Sequence, residues 1–73
     1  MNNLQITEMM RHRPFQPFEI RVSDGRVYPV DHPEFLAQSR NGHFVVYTTD
    51  DDRVIIIDLA HVTSLEVINA RAG

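Results

Sequence analysis

The chain has 73 residues, a net charge of −3 and no cysteine, so disulfides and thiolate metal sites are excluded as staples for a core that is small and only marginally stable by burial alone. All seven basic residues are arginine and they face ten acids, so the strong positive excess of a generic nucleic-acid binder is missing. No stretch approaches the length of a membrane-spanning helix and the N-terminus lacks the hydrophobic region of a signal peptide, which leads us to expect a cytoplasmic protein with no membrane partner.

The first predicted element is a helix over residues 3–12, with Asn2 or Asn3 as its cap. Leu4, Ile6, Met9 and Met10 fall mainly on one side of it, and Arg11, His12 and Arg13 suit the negative end of the helix dipole. Pro14 ends it. A helix this short is unstable alone, so its apolar side is expected to dock, as a lid over an open barrel end. Arg13, Pro14, Phe15, Gln16, Pro17 and Phe18 form an extended connector with two fixed φ angles and two apolar anchors.

A strand over 18–22 alternates cleanly, with Phe18, Ile20 and Val22 inward and Glu19 and Arg21 outward. Asp24-Gly25 is a strong hairpin signal and leads into a return strand over 26–30, whose end Pro29 demotes to an edge or a bulge. Residues 31–38 are the least regular stretch; Pro33 can open a short helical turn capped by Asp31. After a turn at 39–42 a third strand runs over 43–49, with Phe44 and Val46 on one side and Val45 and Tyr47 on the other. Asp50, Asp51 and Asp52 make a polar turn that lacks the glycine and distal glutamate of a calcium loop.

The strand over 53–58 carries the unbroken run Val54-Ile55-Ile56-Ile57. A run apolar at every position predicts a central strand covered on both faces, and a chain this short has little left to supply both covers. A tight turn at 58–61 and a last strand over 62–68 follow, and the residues from Asn69 to Gly73 are read as a frayed tail. The expected fold is mainly β, a single domain over 1–73 built as a small five-stranded SH3/Sm-like barrel with an N-terminal α-helix.

Two resemblances bear on this reading. The helix, the segment Ile20-Arg21-Val22-Ser23-Asp24-Gly25-Arg26-Val27-Tyr28 and the segment from Ile55 to Leu65 together resemble the Sm/LSm/Hfq-type barrel, in which they would be a strand–turn–strand unit and strands four and five. That resemblance implies a ring in which strand four of one subunit pairs with strand five of the next, and contact with uridine-rich RNA. The sequence departs from it at Pro29-Val30, where a glycine is expected, and before the last strand, where the Arg-Gly or Lys-His pair of such proteins is missing. The frame Arg13 to Phe18, Asp24 to Arg26, His32 to Phe35 and Ile57 to Val62 also resembles a small uncharacterised bacterial protein family of similar length, which implies a fold and no activity.

His32, Glu34, His43 and His61 are enough in number for zinc, but no pair has ligand spacing on a helix face and no zinc motif is present, so we assign no metal and no cofactor. His32 is read as starting a turn and His61 as hydrogen-bonding backbone before the last strand. Asp58 with His61 suggests acid–base work, yet Thr63 and Ser64 lie in a predicted strand with no nucleophile elbow, and Asp58 is better placed to cap the turn after it. No catalytic residue and no enzyme is expected. The function expected is a non-catalytic binding or assembly module that self-associates through strand edges. The alternatives are an Sm-like RNA-binding ring using Arg21, Arg40, Arg53 and His61, and a monomeric SH3-like adaptor that binds a peptide around Phe15, Phe18 and Tyr47.

Overall fold

The computed structural model describes residues 3–68; Asn2 and the tail from Asn69 to Gly73 lie outside the described residues. Helix α1 spans Asn3–Arg11. Ile6 is its buried residue, and Met9 and Met10 pack against the core. Leu4, expected on the same side, is 65% exposed. The Arg13 guanidinium closes the helix end, donating to the carbonyls of Met10 and His12 at 2.8 and 2.9 Å.

Strand β1 (Phe18–Val22) and strand β2 (Val27–Val30) form the predicted hairpin. Gly25 takes φ +95° in its turn, where the Asp24 carboxylate accepts the Arg26 N–H at 3.0 Å. The Val22 N–H donates to the Arg26 carbonyl at 3.0 Å, and alternation along the ladder then puts Pro29, opposite Glu19, at a pair that exchanges no hydrogen bonds. Its missing N–H costs nothing there, and β2 is an edge strand as expected.

The 3₁₀ turn η1 (Pro33–Phe35) opens on proline as predicted, but its capping position falls on His32, whose side chain makes no capping hydrogen bond, rather than on Asp31. Strand β3 (Leu36–Gln38) follows directly and pairs Leu36 with Tyr47 of strand β4 (Phe44–Thr48). The 39–42 turn between them is tied by the Ser39 hydroxyl, which accepts the N–H groups of His43 and Phe44 at 3.1 Å. Gly42 there has φ +76°, and a Cβ on it would meet the Asn3 side chain that starts α1. Gln38 reaches α1 as well, donating to the Thr7 hydroxyl at 2.9 Å.

Strand β5 (Val54–Asp58) pairs with β4, the 3₁₀ turn η2 (Leu59–His61) reverses direction, and strand β6 (Val62–Val67) returns to pair with β1. Asp58 caps η2 as predicted, accepting the Ala60 N–H at 2.9 Å. Among the described residues the result is six strands in two three-stranded antiparallel sheets, ordered β2-β1-β6 and β3-β4-β5. This corrects the expectation of a five-stranded barrel: η1 interrupts the extended chain between β2 and β3, and η2 does the same between β5 and β6, so among the described residues no ladder runs from one sheet into the other.

The core lies between the sheets. Phe18, Ile20, Val30 and Val62 come from the first, Leu36, Val45, Tyr47 and Ile57 from the second, and Leu59 of η2 and Ile6 of α1 complete it. The Tyr47 hydroxyl donates to the Pro29 carbonyl at 2.6 Å and its ring sits 5.3 Å from that of Tyr28, so one side chain ties the two sheets together.

Candidate functional site

The two sheets differ on their outer faces. On the first, Arg21 lies 3.0 Å from Glu19 and 3.0 Å from Glu66, a polar network across neighbouring strands. On the second, the register sets Ala37, Val46 and Ile56 in one row across β3, β4 and β5, with Phe44 opposite Asp58 and Thr48 opposite Val54. Val54 and Ile56 are 64% and 66% exposed, whereas Ile57 is 4% exposed. The run Val54-Ile55-Ile56-Ile57 therefore alternates in burial while being apolar throughout. The chain covers one of its faces and not the other, and β5 is an edge strand rather than the central strand expected.

The direction of its free backbone groups follows from the ladder. The Leu59 N–H donates to the His43 carbonyl and the Thr49 N–H to the Arg53 carbonyl, both at 3.0 Å. Alternation between these pairs assigns Ile55 and Ile57 to bonding with β4, so the N–H and C=O groups of Val54, Ile56 and Asp58 point away from the sheet. The exposed apolar side chains and the unpaired backbone groups thus belong to the same residues. Within 54–57 there is no charge, no proline and no bulge, the devices that ordinarily protect a sheet edge. On β6 the Ile68 N–H donates to the Pro17 carbonyl at 2.9 Å, and the same reasoning leaves Leu65 and Val67 facing outward along a second free edge.

Three grooves border these edges. One, beside the outer face of β5, has Phe44, Ile56 and Leu59 as its apolar part and Asn41, His43 and Asp58 at its rim. A second lies between β5 and the β1–β2 hairpin, with Arg26, Tyr28 and His61 on its walls. A third separates β6 from α1, between Thr63 and Leu65 on one side and Gln5, Glu8 and Met9 on the other. His43 and His61 line different grooves, His32 packs edge-on against Phe35 at 5.3 Å, and no group of three or more His, Asp or Glu among the described residues is placed to hold a metal ion.

The four residues considered for RNA do not share a face. Arg21 sits in the middle of β1, bound to Glu19 and Glu66, and its Nε lacks hydrogen-bond geometry toward Glu66 despite the 3.0 Å separation. Arg40 and Arg53 lie in the turns at opposite ends of β4, and Arg53 is 3.4 Å from Asp51. His61 is exposed in η2, its carbonyl taking the Ser23 N–H at 2.8 Å. Of the three residues considered for a peptide, Phe18 and Tyr47 are buried in the core and offer no surface, and Phe15 is half-buried with its ring 6.0 Å from that of Phe18. Sequence reasoning named neither Val54 nor Ile56 as a surface residue. Their exposure depends on which strand face is left uncovered, and the signal for that was the absence of charge in a run too apolar for its small domain.

No described helix is long and apolar enough to cross a membrane. Comparison with family models, with curated proteins and with solved structures gives no match.

Proposed function

We propose that this chain is a non-catalytic binding and assembly module of the SH3/Sm-like type that self-associates through its strand edges. The observation that carries the reading is β5, an edge strand whose outward backbone groups and exposed apolar side chains coincide at Val54 and Ile56. Such an edge is a template for another strand, with main-chain hydrogen bonds supplying affinity and alternate side chains supplying selectivity. A second copy of the chain also answers the size of the core, because a domain this small gains stability from oligomerisation when it has no disulfide. The SH3/Sm-like reading is supported by strand succession: with β2 and β3 taken as two halves of one strand bent at η1, the neighbours run β5, β4, β3/β2, β1, β6.

Native mass spectrometry of the purified protein tests the proposal. More than one chain per particle is the expected result. A single chain at every concentration at which the protein stays folded contradicts it.

A further inference from the structure

A strand added at the β5 edge lies beside the outer face of the β3-β4-β5 sheet and does not cover it. That face, built from Ala37, Phe44, Val46, Val54 and Ile56 with Asp58 at one end, is therefore a second surface, separate from the edge. We propose that it docks an amphipathic α-helix of a partner protein, apolar along one stripe and basic at both ends. The helix follows from backbone satisfaction. The main-chain groups of β4 bond to β3 and β5, so the face offers only side chains, and a segment lying across it must satisfy its own N–H and C=O groups. Three strands about 4.8 Å apart span about 10 Å, the width of one helix.

Charge selects the occupant. Residues 31–58, which form this sheet and its turns, hold six acids and two arginines. Exposed Asp50, Asp51 and Asp52 precede β5 and exposed Asp58 closes it. Arg53 is engaged by Asp51 at 3.4 Å, and Arg40 does not line the groove beside Asp58. From Asp52 to Asp58 is about 20 Å of strand, which about 13 residues of helix span. At the Asp58 end the site for a cation is specific. Phe44 and Asp58 are directly opposed, and the His43–Leu59 bond next to them makes theirs the closer kind of pair, without mutual main-chain bonds. One Asp58 oxygen takes the Ala60 N–H, and the other has no partner among the described residues. A guanidinium or ammonium seated in this groove meets that carboxylate and the Phe44 ring together. The same acids repel nucleic acid and anionic lipid. Two copies packed face to face with their strands aligned set acid on acid in either orientation, because both ends of β5 are acidic. Helix α1 of a second copy does not serve, since Ile6, Met9 and Met10 already pack in its own core.

A display library of helical peptides of about 14 residues, selected on the immobilised full chain, tests this. The enriched peptides are expected to carry Arg or Lys at both ends of an apolar stripe at i, i+3, i+4 and i+7 spacing. Asp58→Asn keeps an oxygen to cap η2 and is expected to weaken their binding about tenfold. Ile56→Lys, at an exposed position, is expected to abolish it, with circular dichroism showing the variant folded. Glu8→Gln makes the same charge change as Asp58→Asn on the exposed side of α1 and is expected to leave binding unchanged. Acidic or extended binders, binders indifferent to Ile56→Lys and Asp58→Asn, or no enrichment at all overturn the proposal. Peptide binding that is lost as the concentration of the chain itself rises puts a second copy on this face and overturns it as well.

Discussion

Ile56 and Ile57 are adjacent, identical and oppositely placed, which makes a matched pair of substitutions decisive. Threonine keeps the β-branch and hence the strand preference, so Ile56→Thr and Ile57→Thr differ chiefly in where the change falls. Ile57 is 4% exposed and packs with Val45 and Tyr47 in the core. Its replacement loses roughly two methylene equivalents, about 1.6 kcal/mol, and buries a hydroxyl at a cost of about 1–3 kcal/mol when no partner is at hand. The sum is about 2.5–4.5 kcal/mol, against a total stability of about 4–11 kcal/mol for a domain of this length. Ile56 is 66% exposed, so its replacement in the single chain loses about a third of the same transfer energy, about 0.5 kcal/mol, and leaves the hydroxyl in water. Urea unfolding followed by circular dichroism at low protein concentration measures both, with the cost read from the midpoint at constant slope. Equal costs for the two variants would refute the open outer face of β5. At raised concentration the wild-type midpoint is expected to climb, and the Ile56→Thr midpoint is expected to stay where it was, because only association depends on protein concentration.

Further predictions concern the ties that hold the two sheets and the turns. Burial first, and then the carboxylates of Asp31 and Asp50 and the ring of Tyr28, hold the Tyr47 phenol above its ordinary value of 10.0. A raised acid contributes stability that is complete below the unfolded value and disappears as pH rises through the folded one, so stability is expected to fall above about pH 10. Tyr47→Phe removes that alkaline component and costs about 1–2 kcal/mol at neutral pH through the lost bond to the Pro29 carbonyl, both readable from thermal unfolding against pH. Asp58→Ala is expected to cost about 1 kcal/mol by removing the cap of η2, and Asp58→Asn to restore most of it. The Asp51 carboxyl is held below its ordinary value by the Thr49 hydroxyl and then by Arg53. Its contribution is present above the unfolded value and lost as pH falls through the folded one. Thr49→Val is therefore expected to move the Asp51 titration upward, as measured by carboxyl NMR.

Features set by local chemistry were legible in the sequence. Asp24-Gly25 specified its hairpin turn, Pro33 opened η1 and Asp58 capped η2, each through contacts within a few residues. The alternation of Phe18, Glu19, Ile20 and Arg21 matched the faces of β1. Strand β3 escaped because it is three residues long with one buried side chain, and its pairing with β4 is set across the Ser39 turn rather than by any pattern in Leu36, Ala37 and Gln38. The β5 run was legible as a strand and misleading as to its surroundings. Hydrophobicity at every position implied two covers, but strand order is a non-local property, and the order β3-β4-β5 leaves one face and one edge of β5 open. The arginines illustrate the same limit: sequence spacing could not tell that Arg21 would be engaged by Glu66 from the far end of the chain.

Amide hydrogen exchange along β5, followed by NMR as a function of protein concentration, tests self-association through this edge most directly. Ile55 and Ile57 bond to β4 within one chain and are expected to be protected at every concentration. Val54 and Ile56 point their N–H groups outward, and the account predicts that they exchange fast in dilute solution and become protected as concentration rises. Fast exchange at Val54 and Ile56 at all concentrations, with Ile55 and Ile57 unchanged, would contradict it.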